Sequence, residues 1–153
     1  MPNKVHPAPR PVERRIADLR GTLSTGKHLW LATAADGIPH LVPLAYVWDG
    51  TELFCATKEA SRSVRNVADS GIARVAVGSA TDVVLIDATV TISTPADAPP
   101  AVASTFAQLP LNPARVPGVV LLRLRPQRIL AWRELSEMPD RLIMAAGEWV
   151  SPT

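Results

Sequence analysis

Apolar positions first recur at helical spacing. Val12, Ile16, Leu19 and Leu23 stand four, three and four residues apart, which places them on one face of a helix. Arg14, Arg15, Asp18 and Arg20 fall mostly on its other faces, and Gly26 is a natural stop. The pattern then changes to extended runs. His28 to Ala34 is largely apolar and leads to Asp36-Gly37, a dipeptide that favours a tight hairpin turn. Ile38 to Trp48 is a second extended stretch, broken by Pro39 and Pro43. Asp49-Gly50 repeats the turn signal before a third strand, Thr51 to Thr57. Proline donates nothing to a ladder, so Pro43 requires an edge, a bulge or a place where pairing stops. A ligand can meet free backbone groups at such a place.

Ser61 as N-cap and Gly71 as terminator bracket a short helix entered directly from the third strand. Ile72 to Gly78 and Asp82 to Ile92 are further strands; Val84, Ile86, Ala88, Val90 and Ile92 share one face of the second. Residues 95–118 interrupt the sheet. Ala96 to Leu109 has room for a short helix, and Pro110, Pro113 and Pro117 predict an irregular path. Val119 to Leu124 is a strand, Pro126 a break, and Arg128 to Leu135 another strand, with 136–153 left as a tail. Six or seven strands with two or three short helices predict a mainly β protein, a small barrel or sandwich.

Composition narrows the class. The chain has 153 residues, 47% hydrophobic, with 16 basic against 14 acidic side chains, which fits one folded domain. Pro2, Pro7, Pro9 and Pro11 mark residues 1–11 as a flexible arm in which Lys4 and Arg10 only solvate the chain, leaving 12–153 as the domain. One cysteine, Cys55, can form neither an internal disulfide nor a cysteine-based zinc site, and its mid-strand position reads as a buried, inert thiol. No apolar run approaches the ~20 residues of a membrane helix and no secretory leader opens the chain, so a cytoplasmic protein without a membrane partner is expected. The net charge of +2 is scattered and aromatics make up 5%, which argues against nucleic acid. His6, His28 and His40 show no metal-ligand spacing, so no metal is expected. Nucleophile-elbow, Walker and Rossmann patterns are absent. No catalytic acid or base is identifiable; Tyr46 is a donor only if it faces a ligand.

Candidate chemistry gathers in residues 56–66. Thr57 and Ser61 offer hydroxyls, Lys58 a point charge, and Arg62 and Arg65 guanidinium groups, around the start of a helix whose free N–H groups and dipole attract an anion. The alternative is a solvated basic helix in which Arg62, Arg65 and Asp69 face water. A second feature is Trp132 with Arg141: surface packing, or half of a site that stacks on a planar ligand.

Residues 29–92 resemble the pyridoxamine 5'-phosphate oxidase-like family, the split-barrel flavin and deazaflavin oxidoreductases. The resemblance is carried by Leu29-Trp-Leu-Ala-Thr-Ala-Ala-Asp-Gly-Ile-Pro-His40, Val42-Pro-Leu-Ala-Tyr-Val-Trp-Asp-Gly50, Leu53-Phe-Cys-Ala-Thr57 followed by Ser61-Arg62, and Arg65-Asn66-Val67. Pro126 to Arg133 and Arg141 to Trp149 extend it. It implies a six-stranded antiparallel split β-barrel with short flanking helices, working as a homodimer with two cofactor sites at the interface. Carried over, the backbone of Val42, Pro43 and Leu44 meets a flavin-type ring. Ala56, Thr57, Lys58, Ser61 and Arg62, with Arg65 beside them, take the ribityl and phosphate groups. The partner supplies Trp132 and Arg141. The implied cofactor is FMN or the deazaflavin coenzyme F(420), and the implied activity is hydride or electron transfer to or from a small organic molecule. The alternative is a flavin, deazaflavin or tetrapyrrole carrier of the same fold without turnover. Ser61-Arg62-Ser63 lacks one cation of the oxidase's Ser-Arg-Lys, and the oxidase's substrate segment survives only as Met138-Pro-Asp-Arg141. Pyridoxamine phosphate is therefore not the expected substrate.

Overall fold

A computed structural model describes residues 5–151; Lys4 and the start of the arm lie outside them. Helix α1 spans Val12–Thr25 and is followed by β1 (His28–Ala35), β2 (Ile38–Ala45), β3 (Val47–Trp48) and β4 (Leu53–Lys58). Helix α2 (Arg62–Ser70) leads into β5 (Ile72–Ser79) and β6 (Asp82–Ser93). After a covering segment with the four-residue helix α3 (Pro100–Ala103) come β7 (Val119–Trp132), β8 (Leu142–Ala145) and β9 (Glu148–Trp149).

The sheet is antiparallel and ordered β2-β1-β5-β6-β7-β4-β3. Its two ends are β2 and β3, which the chain joins through Tyr46 alone. The sheet therefore curls back on itself and closes by continuity of the chain. Between β2 and β4 no ladder forms among the described residues, although the strands lie side by side. This is the expected six-stranded split barrel, with β3, β8 and β9 as short additions. Inside, Leu29, Leu31, Val75, Ile86, Leu122, Leu124 and Ile129 are buried, with Leu19 and Leu23 of α1 plugging one end.

The Asp36-Gly37 turn is as expected: Ala35 faces Ile38, and both turn residues have positive φ, 51° and 74°, the primed geometry that matches strand twist. The second turn is longer. Residues 49–52 link β3 to β4, and the Asp49 carboxylate accepts from the N–H groups of Thr51 and Glu52 at 2.8 and 2.7 Å. Aspartate here bonds its own backbone instead of shaping a two-residue hairpin.

Three expectations are corrected. The break at Pro126 is a β-bulge inside one 14-residue strand: Asp87 faces Arg128 and Ala88 faces Pro126, leaving Gln127 unopposed. A bulge tolerates proline in a central strand, and the displaced Gln127 carbonyl accepts from Gly147 N–H at 2.8 Å. The tail beyond 136 holds the β8–β9 hairpin, turned at Ala146-Gly147. Residues 95–118 carry the short helix expected there, α3, with two 3-10 turns beside it. They seal a second small core, Val102, Phe106 and Leu109 against Phe54, Ala56 and Leu121. Finally, Arg10 does more than solvate the arm, and Arg15, read as lying off the apolar face, is buried. Arg10 donates to Glu137 through Nε at 2.8 Å, Nη2 at 2.8 Å and its backbone N–H at 3.0 Å, and to Asp18 at 2.9 Å. Arg15 is buried, donating to the carbonyls of Asp140 and Ala131 at 2.7 Å each, while its Nε has no partner among the described residues.

Candidate functional site

The split between β2 and β4 shapes the site. Residues alternate along β2: Leu41 and Pro43 face outward, while Val42 and Leu44 pack on the barrel core. Pro43 lies opposite Trp30 on an end strand of the sheet, which is where a residue without an N–H belongs. Pro43, Leu44 and Ala56 line a cavity of about 230 Å³ with His28, Leu109 and Leu111. Its wall is apolar except for the imidazole. Three of the eleven residues expected at the site thus meet in one cavity. Val42 has only its backbone to offer there, because its side chain turns inward.

From Ala56 the strand runs directly to Thr57 and Lys58 and into α2. Thr57 is buried, and Lys58, Arg62 and Arg65 are exposed. Those three cations have no ion-pair partner among the described residues. Ser61 caps α2 by accepting from Val64 N–H at 3.3 Å. The turn is closed by Ser61 N–H to the Lys58 carbonyl at 3.0 Å and by Glu59 N–H to the Gly118 carbonyl at 2.9 Å. The N–H groups of Arg62 and Ser63 have no acceptor among the described residues. Two open N–H groups, a hydroxyl and three unpaired cations suit an anion; Glu59 in the same turn is the one opposing charge. The inner face of α2 is anchored: Asn66 donates to the Thr33 hydroxyl at 3.0 Å, both buried.

Trp132 and Arg141 are elsewhere. Thr57 faces Val120, and Trp132 stands twelve residues further along β7, about 40 Å of extended chain at roughly 3.3 Å per residue. The two are close to one another, since Ala131 N–H donates to the Arg141 carbonyl at 2.9 Å. Arg141 spends its guanidinium on the Met138 carbonyl at 2.6 Å. One chain does not bring them to the slot.

Two titratable groups near the slot are unavailable as proton donors. Tyr46 is buried and donates to the Leu23 carbonyl at 2.7 Å, and burial pushes its hydroxyl up to about 12. Complete burial likewise pushes the Cys55 thiol up to about 12, the inert state expected for it. His28, Leu109 and Leu111 are slot residues that sequence reasoning missed. The run Leu109-Pro110-Leu111, set among small and polar residues, was the available signal for the two leucines; for His28 there was none.

An apolar slot at a barrel split is thus followed along the chain by an anion-suited strand-to-helix turn. Residues 17–133 match the family model described as pyridoxamine 5'-phosphate oxidase, and the chain belongs to that family. Solved structures agree on the fold. A putative pyridoxamine 5'-phosphate oxidase from Listeria innocua aligns with a TM-score of 0.63 and 13% identity, covering 76% of this chain and 97% of that one. An F(420) reductase aligns at 0.58 and 21%, covering 72% and 94%. An FAD-binding protein from Mesorhizobium loti aligns at 0.54 and 18%, covering 74% and 90%. A search of curated protein sequences finds no match. No helix among the described residues is long and apolar enough to cross a membrane.

Proposed function

We propose that the protein is a homodimeric oxidoreductase that uses FMN or coenzyme F(420) to move hydride or electrons to or from a small organic molecule. The observation that carries this reading is the slot at Pro43, Leu44 and Ala56 followed directly along the chain by Lys58, Arg62 and Arg65, which have no ion-pair partner among the described residues. The residues present fit such a group. A slot of about 230 Å³ is below the ~300–1,000 Å³ of sites that enclose a whole ligand. It suits a planar ring whose phosphate end lies in the open along β4, at the start of α2. Arg62 grips the phosphate and Thr57 and Ser61 add hydroxyls, with Lys58 and Arg65 supplying charge. When bound, the cofactor supplies the redox chemistry; the protein supplies orientation, an apolar wall and an anion clamp.

A second copy completes the site in this reading. Trp30, Leu41 and Ile72 are 51%, 61% and 61% exposed on the outer face of neighbouring strands, an apolar patch of the kind that marks an interface. Trp132 faces outward on the same sheet, since its neighbour Ala131 is buried. The partner's face brings an indole, and Arg141 with it, to a slot that one chain leaves open. We place the protein in the cytoplasm, where a lone buried thiol needs no oxidising partner.

The test is spectroscopic: titration of the purified protein with FMN and with oxidised and reduced F(420). Micromolar binding of one of them supports the reading, and failure of all of them overturns it. A carrier without turnover is the second reading, favoured by the tied-up Tyr46 hydroxyl and the inert Cys55. Turnover of the cofactor-loaded protein with quinones, nitroaromatics or biliverdin excludes it.

A further inference from the structure

A second cavity, of about 580 Å³, adjoins the slot and shares His28, Ala45, Leu109 and Pro110 with it. Its remaining walls come from the end of α1, the turn into β1, Tyr46 to Trp48, and the covering segment at Thr105 and Gln108. Its charge is one-sided. Lys27 is its one formal charge, beside the neutral His28 and Gln108 and the Ser24 hydroxyl, and no carboxylate lines it; the Thr25 and Thr105 hydroxyls, also at the wall, donate to the Gly21 and Val102 carbonyls. Lys27 and His28 are exposed and have no ion-pair partner among the described residues. The carbonyls at the end of α1 are the opposing polar groups, and two are already used: Thr22 accepts from Gly26 N–H at 2.9 Å and Leu23 from the Tyr46 hydroxyl.

The floor is rigid. Tyr46 N–H donates to the Lys27 carbonyl at 3.1 Å, holding the residue that carries the cation. The tyrosine ring packs so closely on Gly26 that a Cβ there would overlap its hydroxyl. Trp48 adds an aromatic wall. His28 stands at the join: its neighbour Leu29 is buried in the barrel, and His28 itself faces outward, opposite Ala45.

We propose that this second cavity is the substrate subsite, and that its substrate is a planar organic anion of the carboxylate class. Lys27 and Gln108 hold the carboxylate, Trp48 lies along the planar part, and His28 orients the molecule where the cavity opens into the ring slot. A compact ammonium on a held backbone, faced by an N–H donor of the covering segment, favours an anion over its neutral isostere. The assignment rests on the cofactor reading only for the word substrate; the anion subsite stands on this chain's own residues.

The test is therefore made with and without cofactor. Calorimetry would compare para-nitrobenzoate with para-nitrobenzamide, which share shape and differ in charge, on the wild type, Lys27→Met and His28→Gln. We expect the wild type to prefer the carboxylate. Lys27→Met should lose about fivefold in affinity for it, as befits a partly exposed charge-assisted contact, with the amide unchanged. His28→Gln should weaken both probes. Both residues are exposed, so unchanged melting curves are expected. No preference in the wild type, no binding of either probe at millimolar concentration, or a preference that survives Lys27→Met overturns the proposal. Carboxylate preference in a protein that binds neither FMN nor F(420) would overturn the cofactor reading and leave the anion subsite standing.

Discussion

Arginine is used in opposite ways in two parts of the barrel. Where the N-terminal arm and α1 meet the end of β7, Arg10 makes three hydrogen bonds to the fully buried Glu137 carboxylate and one to Asp18, and Arg15 is buried against two carbonyls. At the start of α2, Arg62 and Arg65 stand exposed with no ion-pair partner among the described residues, beside Lys58. Buried ions must be satisfied because each costs several kcal/mol to desolvate, so the first group is spent on the fold. Exposed cations cost little to keep. The second group stays available for a ligand, and removing one should leave stability nearly untouched.

The largest effect is expected at the closed end. Glu137→Ala removes three of the four hydrogen bonds of Arg10, leaving it Asp18 alone, and should destabilise by about 3–5 kcal/mol, measured by urea denaturation. The pH dependence follows from the same contacts. The Arg10 guanidinium, helped by the N–H groups of Arg10, Arg133 and Glu134, holds the Glu137 carboxyl well below the usual carboxylate range. A depressed value favours the ionised form in the folded state. Its stabilisation is complete above the unfolded-chain value of about 4.3 and drains away as pH falls below it. Glu137→Gln should flatten that acid limb; an unchanged limb would remove Glu137 from its cause.

Next in size is Arg62→Ala, which should weaken a phosphate-bearing cofactor by about 1.5–3 kcal/mol and move folding stability by less than about 0.5 kcal/mol. Cofactor titration and denaturation of the same sample separate the two. A loss of stability without a loss of affinity would erase the contrast between the two arginine groups. Trp132→Ala should cost about 0.5–1.5 kcal/mol of cofactor affinity, the worth of an aromatic stack, and only in the dimer; sedimentation beside the titration checks this. Smallest is Lys58→Met, about 0.5 kcal/mol, a loss that should vanish in high salt because the charge is exposed.

The elements legible in the sequence are those set by local chemistry. Ser61 and Gly71 bound α2 because one caps by hydrogen bond and the other takes φ 70°. Asp36-Gly37 turns because both residues accept positive φ. What was illegible depended on distant partners. Arg15 lies one position from Ile16, and only the carbonyls of Ala131 and Asp140 explain why the arginine is the residue buried. Ala146 carries no turn signal, and its φ of 51° is set by the β8–β9 hairpin. The bulge at Gln127 made one strand of what proline suggested were two. The cationic turn from Thr57 to Arg65 was readable as a cluster, since it is contiguous. His28 joined the slot only because β1 sets it opposite Ala45, a pairing that no spacing announces.

The central claim is that the β2–β4 slot and the α2 turn together hold a ring and its phosphate. The most direct measurement is a titration of FMN against riboflavin, and of F(420) against its phosphate-free deazaflavin ring, on the wild type and Arg62→Ala. The account predicts that one phosphate-bearing member binds the wild type at micromolar concentration, at least about tenfold more tightly than its bare ring, and that Arg62→Ala closes most of that gap. Equal binding of ring and phosphate form, or a gap that Arg62→Ala leaves intact, would contradict it.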